Sequence, residues 1–143
     1  MAAAIHFSLL MIHTAYDLDR KRLPRTWLAF HLGTGLWLAF LRCGLTSLSW
    51  VTALIPGLFV MAAGLLTRGS IGTGDGWILM AGGLACGGIA AAEELMLALL
   101  LCAGFSLILL AAGKATRKTR LPFAPFLALA ELVRLALHGW GVG

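Results

Sequence analysis

The sequence predicts an all-α, polytopic integral membrane protein with about six transmembrane helices, and three observations favour that fold class. Apolar residues make up 60% of the 143 residues, charged residues make up 12%, and the mean hydropathy is +0.93. A water-soluble domain carries about 25% charged residues, so this chain has too few to cover a water-facing surface. Leucine and alanine dominate the apolar stretches without strand-like alternation, which indicates helices.

Charged residues divide the chain, a single domain by its length, into six apolar stretches. A helix needs about 17–25 residues to cross the hydrocarbon core, so two stretches pass comfortably and the others are short or marginal. Short spans are compatible with a thinned bilayer or a polar cleft at the helix ends. The predicted spans cover roughly residues 2–16, 26–41, 47–66, 77–92, 95–113 and 122–140, with the fourth and fifth separated at Glu93 and Glu94.

The basic residues predict the orientation of these spans. With six spans, the loops at 17–25, 67–76 and 113–121 share one face and hold four, one and four basic residues, nine of the chain's 11. The opposite face holds Arg42 and the acidic pair Glu93 and Glu94. Because basic loops stay in the cytoplasm, we expect a multi-pass protein of the inner (cytoplasmic) membrane with both termini outside. The basic loops suit contact with anionic membrane lipid, and no basic-aromatic face favours nucleic acid.

The first candidate site residue is Asp17, at the predicted cytoplasmic end of span one. Carboxylates near a bilayer are costly and rare, so such a residue is a candidate functional group. Pro24 follows the basic cluster and suits the start of span two. His13 lies four residues before Asp17 on the same helical face and could hydrogen-bond its carboxylate, although such a histidine is more often merely interfacial.

The second candidate is Asp75, which ends the segment Gly72-Thr73-Gly74-Asp75 between two apolar stretches. Glycine has permissive backbone dihedrals and no side chain, so Gly72 and Gly74 would allow a sharp turn and the close approach of an extended peptide. Taken alone, the segment also fits a plain surface turn. Six spans place Asp75 and Asp17 on the same, cytoplasmic face, which favours a shared site.

Together these motifs resemble the type IV prepilin peptidases, which are membrane aspartic proteases of the GxGD class. The matching features, in order, are Asp17 followed by basic residues and Pro24, the Gly72–Asp75 motif, and the start of the last span at Leu121–Leu127 with Pro122 and Pro125. The resemblance covers essentially the whole chain and corresponds to the short form with the peptidase core only. Two positions depart from the family pattern, since Trp77 stands where a lysine is usual and Arg25 where Asn or Asp is usual.

The resemblance implies a hydrolase, an aspartic-type endopeptidase that removes the leader peptide of prepilin-like precursors in type IV pilus assembly or protein secretion. Asp17 and Asp75 would be its catalytic pair, one carboxylate taking a proton from water while the other donates to the scissile carbonyl. We expect no cofactor, no metal and no methyltransferase activity, because the paired cysteine motifs of longer members are missing. The helix directions predict Asp75, at a helix N-terminus, as the base and Asp17, at a helix C-terminus, as the acid.

Two other classes of protein stay open at this point. One is a catalytically inactive relative that binds leader peptides without cutting them, and the other is a scaffold or transport subunit of a secretion system. A transporter ordinarily has charges near the midplane and repeated halves, whereas no convincing repeat occurs here. Of the remaining polar residues, Glu131 and Arg134 are predicted to pair, His31 has no obvious partner, and none has the spacing of a metal-ligand set.

Overall fold

The described part of the chain forms a bundle of six α-helices. The computed structural model describes residues 1–20, 24–43, 49–67, 72–114 and 121–138, and no strand occurs within these ranges. The all-α prediction is therefore confirmed. The predicted basic loop residues at 21–23, 68 and 115–120 lie outside the described residues. In chain order the helices are α1 (Ala2–Arg20), α2 (Arg25–Cys43), α3 (Ser49–Leu66), α4 (Thr73–Cys86), α5 (Gly88–Ala111) and α6 (Ala124–His138).

Helix α4 lies at the centre of the bundle, packed against α1, α2, α3 and α5. Between Asp75 and Ala85 every residue except Trp77 is buried. Glycines allow this close approach: a Cβ atom added at Gly76 would lie 2.8 Å from the carbonyl oxygen of Gly57, and one added at Gly83 would overlap the backbone of Ala53. Small residues on α4 therefore let the backbone of α3 lie directly against it.

Two helices, α3 and α5, are long and apolar enough to cross a membrane by length and composition. In α5 only 11% of the most apolar 18-residue window is buried within the bundle, and in α3 28%. Among the described residues two helices meet this criterion, whereas the sequence predicted six spans. Helix α5 exposes many large apolar side chains. They include Met96, Leu99, Leu100, Phe105, Leu107 and Ile108.

The break between α4 and α5 lies at Gly87 and not at Glu93 and Glu94, so the predicted boundary of 77–92 and 95–113 is wrong. Gly87 adopts φ 106° and ψ 156°, a backbone conformation that side-chain-bearing residues rarely enter. Its N–H donates to the carbonyl of Gly83 at 2.7 Å, which ends α4. Backbone geometry available to glycine, and not charge, therefore sets the boundary, and both glutamates become part of α5.

We expect Gly83→Ala to destabilise the fold, because the added methyl group would overlap the backbone of Ala53 on α3. Overpacking of this kind typically costs about 1–3 kcal/mol. The matched control is Gly104→Ala on α5, where a Cβ atom meets nothing within 4 Å. Thermal unfolding of the purified proteins should give a lower Tm for Gly83→Ala only. Equal Tm values for the two variants would contradict the close packing of α3 on α4.

Candidate active site

The Gly72–Asp75 motif forms the start of the buried helix α4. Gly72 is the N-cap, and the N–H of Asp75 donates to its carbonyl at 3.2 Å. Gly72 has φ −67° and ψ 119°, an extended conformation open to any residue, so the expected sharp glycine turn is not what the position requires. A Cβ atom at Gly72 would lie 2.7 Å from Oδ2 of Asp75. The absence of a side chain at Gly72 instead leaves room for the Asp75 carboxyl group, while Gly74 lies in the first helical turn.

Asp17 lies near the end of α1 and contacts the beginning of α6. Its Oδ2 accepts a hydrogen bond from the backbone N–H of Ala124 at 3.3 Å. One turn earlier, the hydroxyl of Thr14 donates to the carbonyl of Ala124, also at 3.3 Å. The first N–H groups of a helix have no partner inside that helix, and they carry partial positive charge. The start of α6 therefore holds the Asp17 carboxylate in a fixed position.

The prolines at 122 and 125 determine where α6 begins. Pro122 precedes the helix and Pro125 lies in its first turn, where the missing N–H costs no hydrogen bond. The carbonyl of Phe123 accepts hydrogen bonds from the next turn, at 3.0 Å from the N–H of Phe126 and 3.2 Å from that of Leu127. This segment therefore places the N–H of Ala124 beside Asp17, which gives the two prolines a role in positioning the site.

Pro24 has the same role at the start of α2. Its carbonyl accepts hydrogen bonds from the N–H groups of Trp27 at 3.1 Å and Leu28 at 3.2 Å, which form the first turn of the helix. The indole of Trp27 in turn packs on the Tyr16 ring, with 6.5 Å between ring centroids. Pro24 therefore helps to hold α2 against the end of α1 that carries Asp17.

The two aspartates interact electrostatically at this end of the bundle. Asp75 is 7% exposed, and its burial raises the pKa of the carboxyl, with the negative charge of Asp17 raising it further, to about 7. Desolvation disfavours the charged carboxylate, and a nearby like charge adds to that effect. This direction opposes the expected role of Asp75 as the ionised base. Burial therefore favours the protonated form of Asp75, in the direction opposite to the effect of the helix dipole.

A chain of histidines that sequence reasoning missed runs through the interior next to this site. Nε2 of His13 lies 3.1 Å from Nδ1 of His31, and Nε2 of His31 lies 3.0 Å from Nδ1 of His6. Nε2 of His6 lies 3.1 Å from Oε2 of Glu94. All four side chains are about 1% exposed. His13 therefore bonds to His31 and not to Asp17, and His31, expected to have no partner, has two.

The acidic residues of α5 and α6 complete this buried cluster. The predicted pairing of Glu131 with Arg134 is confirmed, since the guanidinium donates from Nε and Nη2 to the two carboxylate oxygens at 2.7 Å each. Glu94, expected in an external loop, is buried in α5. Glu93 is partly exposed and lies 3.8 Å from Nε2 of His138. One clue in the sequence was the seven-residue spacing of His6 and His13, which places both on one face of α1.

The donor atoms of His6, Glu94 and Glu131 lie within 4.8 Å of one another, close enough to meet at one cation. Most of the possible ligand atoms already have hydrogen-bond partners, however. Both oxygens of Glu131 accept hydrogen bonds from Arg134, and Nε2 of His6 is bonded to Glu94. The nearby guanidinium also repels a second cation. Ion pairing and hydrogen bonding therefore account for this cluster, and we assign no metal to it.

Comparison of the chain with models of protein families, with curated proteins and with solved structures finds no match. The resemblance to prepilin peptidases therefore stays a prediction from the motifs in the sequence. The fold brings the carboxyl groups of Asp17 and Asp75 close enough to interact at one end of the bundle, and it places a buried polar chain beside them.

We expect Asp17→Asn to lower the pKa of Asp75, because it removes the like charge that helps to raise it. Burial remains, so the pKa of Asp75 stays above the ordinary aspartate value. The chain contains only three aspartates, so NMR titration of protein labelled with 13C at the aspartate carboxyl can resolve each one. Asp19→Asn, at an exposed position two residues from Asp17, is the control. An Asp75 pKa unchanged by Asp17→Asn would contradict the coupling.

Proposed function

We propose that this protein is a multi-pass membrane aspartic endopeptidase that cleaves the leader peptide of prepilin-like precursors. The observation that carries the proposal is the electrostatic coupling of Asp17 and Asp75, which come from helices far apart in sequence. Aspartic proteases need two carboxyl groups that share one proton, and like charges held close together favour that state. The match of the motifs to the GxGD class supplies the substrate class.

In the proposed reaction, the carboxylate of Asp17 takes a proton from water as the water oxygen attacks the scissile carbonyl. Asp75, whose pKa of about 7 keeps about half of it protonated at pH 7, donates its proton to the carbonyl oxygen. The tetrahedral diol then collapses: one hydroxyl returns its proton to Asp75, and Asp17 passes its proton to the leaving amine. One water is consumed, and both carboxyl groups recover their starting protonation states.

The site is open on the side where an extended peptide would enter. Gly72 and Thr73, immediately before Asp75, are exposed, and Trp77 is 40% exposed, whereas Asp75 itself is buried. A peptide backbone can therefore lie along the exposed start of α4 and present its carbonyl to the buried acid. Trp77, in place of the family's usual lysine, offers an apolar ring at this entrance, which favours an apolar residue of the substrate there.

The membrane placement is supported by the surface of the apolar helices. A core helix of a water-soluble protein would be mostly buried, whereas only 11% of the apolar window of α5 is buried. Hydrocarbon is the solvent that covers such a surface without an unfavourable contact with water. We assign all six helices to the membrane, with the fourth span beginning at Trp77, so that Asp17 and Asp75 lie outside the spans at the cytoplasmic face.

We expect Asp17→Asn and Asp75→Asn each to abolish processing of a co-expressed prepilin-like precursor from the same genome. General acid and base groups typically contribute about 10²–10⁴-fold to the rate, so no mature product should be visible on a gel. Asp19→Asn is the matched control, since it makes the same change at an exposed position of α1, and it should process the precursor like the wild type.

Unprocessed precursor with the wild-type protein would contradict the peptidase assignment, provided that the protein is folded and in the membrane. If the precursor then co-purifies with the wild-type protein, the assignment changes to a catalytically inactive relative that binds leader peptides. If it does not co-purify, a scaffold or transport subunit of a secretion system becomes the better assignment.

We expect the loop after α5 to lie in the cytoplasm and the end of α6 to lie outside, since the positive-inside rule sets the orientation. A reporter that fluoresces only in the cytoplasm should be active when fused after Lys114. A phosphatase that is active only outside should be active when fused after His138. Reporter activity on the same side at both positions would contradict six spans.

A further inference from the structure

The buried histidine chain is continuous and has two open ends. Three hydrogen bonds of 3.0–3.1 Å join His13, His31, His6 and Glu94 in that order, and each of the two inner imidazoles uses both ring nitrogens. Among the described side chains, Nδ1 of His13 and Oε1 of Glu94 are the buried polar atoms without a partner. These two atoms are the two ends of the same chain. A purely structural network would be satisfied at its ends, because an unpaired buried polar atom is costly.

The hydrogen-bond pattern is compatible with two proton arrangements that keep the same three hydrogen bonds. If each histidine carries its proton on Nε2, every ring donates towards Glu94 and Nδ1 of His13 is left as a free acceptor. If the protons shift to Nδ1, Glu94 donates to His6, every ring donates in the opposite direction, and the same three hydrogen bonds persist. The second arrangement holds one proton more than the first. When a proton is added at His13, one proton moves along each hydrogen bond and Glu94 receives the last one.

The charges around Glu94 require one additional proton. Glu94 and Glu131 carry two negative charges when ionised, and Arg134 supplies one positive charge, so the buried cluster has a net charge of −1 while His6 is neutral. An uncompensated charge in a low-dielectric interior is strongly unfavourable. A single proton on His6 or Glu94 makes the cluster neutral. The end of the chain is therefore a place where one proton is held.

We propose that His13, His31, His6 and Glu94 form a proton-conducting chain through the interior of the helix bundle. A proton from the aspartate end binds Nδ1 of His13, and the Nε2 proton of His13 passes to Nδ1 of His31. The Nε2 proton of His31 then passes to Nδ1 of His6, and the Nε2 proton of His6 passes to Glu94. One proton enters at Nδ1 of His13 and one arrives at Glu94, and each imidazole must again carry its proton on Nε2 before the next transfer.

The ends of the chain point to opposite ends of the bundle. His13 lies one helical turn from Asp17, about 6 Å along α1, and His6 lies two turns further towards the start of that helix. Beyond Glu94 come the Glu131–Arg134 pair and then the half-exposed contact of Glu93 with His138. Polar side chains therefore line a route from the aspartate pair to the far end of the bundle.

Helices α1, α2 and α5 supply the members of the chain, and α3 and α4 pack around them. Helix α3 has no ionisable side chain, and α4 presents Gly82, where a Cβ atom would lie 2.5 Å from Cε1 of His6. Gly82 therefore leaves the space that the His6 ring occupies. The titratable and charged groups that surround the chain are Asp17 on α1, Arg42 on α2, Cys86 and Asp75 on α4, Glu93 on α5, and Glu131, Arg134 and His138 on α6.

The test is proton flux through vesicles that contain the purified full-length chain. The vesicles hold a pH-sensitive dye, and an imposed pH gradient is followed with potassium and valinomycin balancing charge. We expect the wild type to dissipate the gradient faster than protein-free vesicles do. His31→Leu removes the middle of the chain and Glu94→Gln keeps the shape but accepts no proton, so both should lose the added flux. Gly82→Ala should lose it as well, because its methyl group displaces the His6 ring.

The matched control is Gly33→Ala on α2, where a Cβ atom meets nothing within 4 Å, and it should keep the wild-type flux. The proposal would be overturned if the wild-type flux equalled that of protein-free vesicles. It would also be overturned if the flux of His31→Leu equalled that of the wild type. Stoichiometric metal bound by the wild type and lost in Glu94→Gln would also overturn it, since a metal on His6 blocks the path. The inference rests on the membrane placement but not on peptidase activity, and vesicle flotation reports insertion separately from flux.

A second readout uses the protein in detergent and needs no membrane. The chain has only four histidines, and His138 is exposed, so 15N-histidine NMR resolves the three buried rings against an internal reference. We expect the His6 and His13 signals to change together on titration in the wild type and separately in His31→Gln, whose amide hydrogen-bonds without relaying a proton. If the His6 and His13 signals still changed together in His31→Gln, the proposed proton-conducting chain would be contradicted.

Discussion

The structure depends on the burial of α4 between four other helices. Its run of glycine and alanine lets the backbone of α3 approach until there is no room for a side chain at Gly76 or Gly83. Because the helix is buried from its first turn, a carboxyl group at that turn is removed from solvent. The raised pKa of Asp75 is thus a direct consequence of helix packing. Weaker packing would expose Asp75 and return it to an ordinary surface carboxylate.

The same helix also makes room for the second polar site. Gly72 leaves space for the Asp75 carboxyl at one end of α4, and Gly82 leaves space for the His6 ring three turns later. Helix α1 supplies the partner in both places, with Asp17 near its end and His6 near its start. The two sites are therefore two parts of one contact between α1 and α4, and His13 lies between them. The hydrogen-bonded chain that includes His6 ends at His13, one helical turn from Asp17.

The buried charged residues bear on whether the protein is a peptidase or a transport protein. Sequence reasoning counted against a transporter because the two aspartates lie at one face. The fold adds His6, Glu94, Glu131 and Arg134 in the interior, and interior charges are characteristic of proteins that move ions or protons. A peptidase site at one end of the bundle and a proton path behind it are compatible, because hydrolysis at Asp17 and Asp75 itself requires protons to be taken and returned.

The sequence by itself determined the helical class, the approximate extent of most helices, and the pairing of Glu131 with Arg134, because these follow from local composition and spacing. It also selected Asp17 and Asp75 as site residues, through motifs that need no knowledge of contacts. Only the tertiary structure decided the helix break at Gly87, the raised pKa of Asp75, and the chain from His13 to Glu94. Each of these depends on the neighbours of a residue, since burial, close backbone approach and hydrogen-bond partners arise between helices distant in sequence.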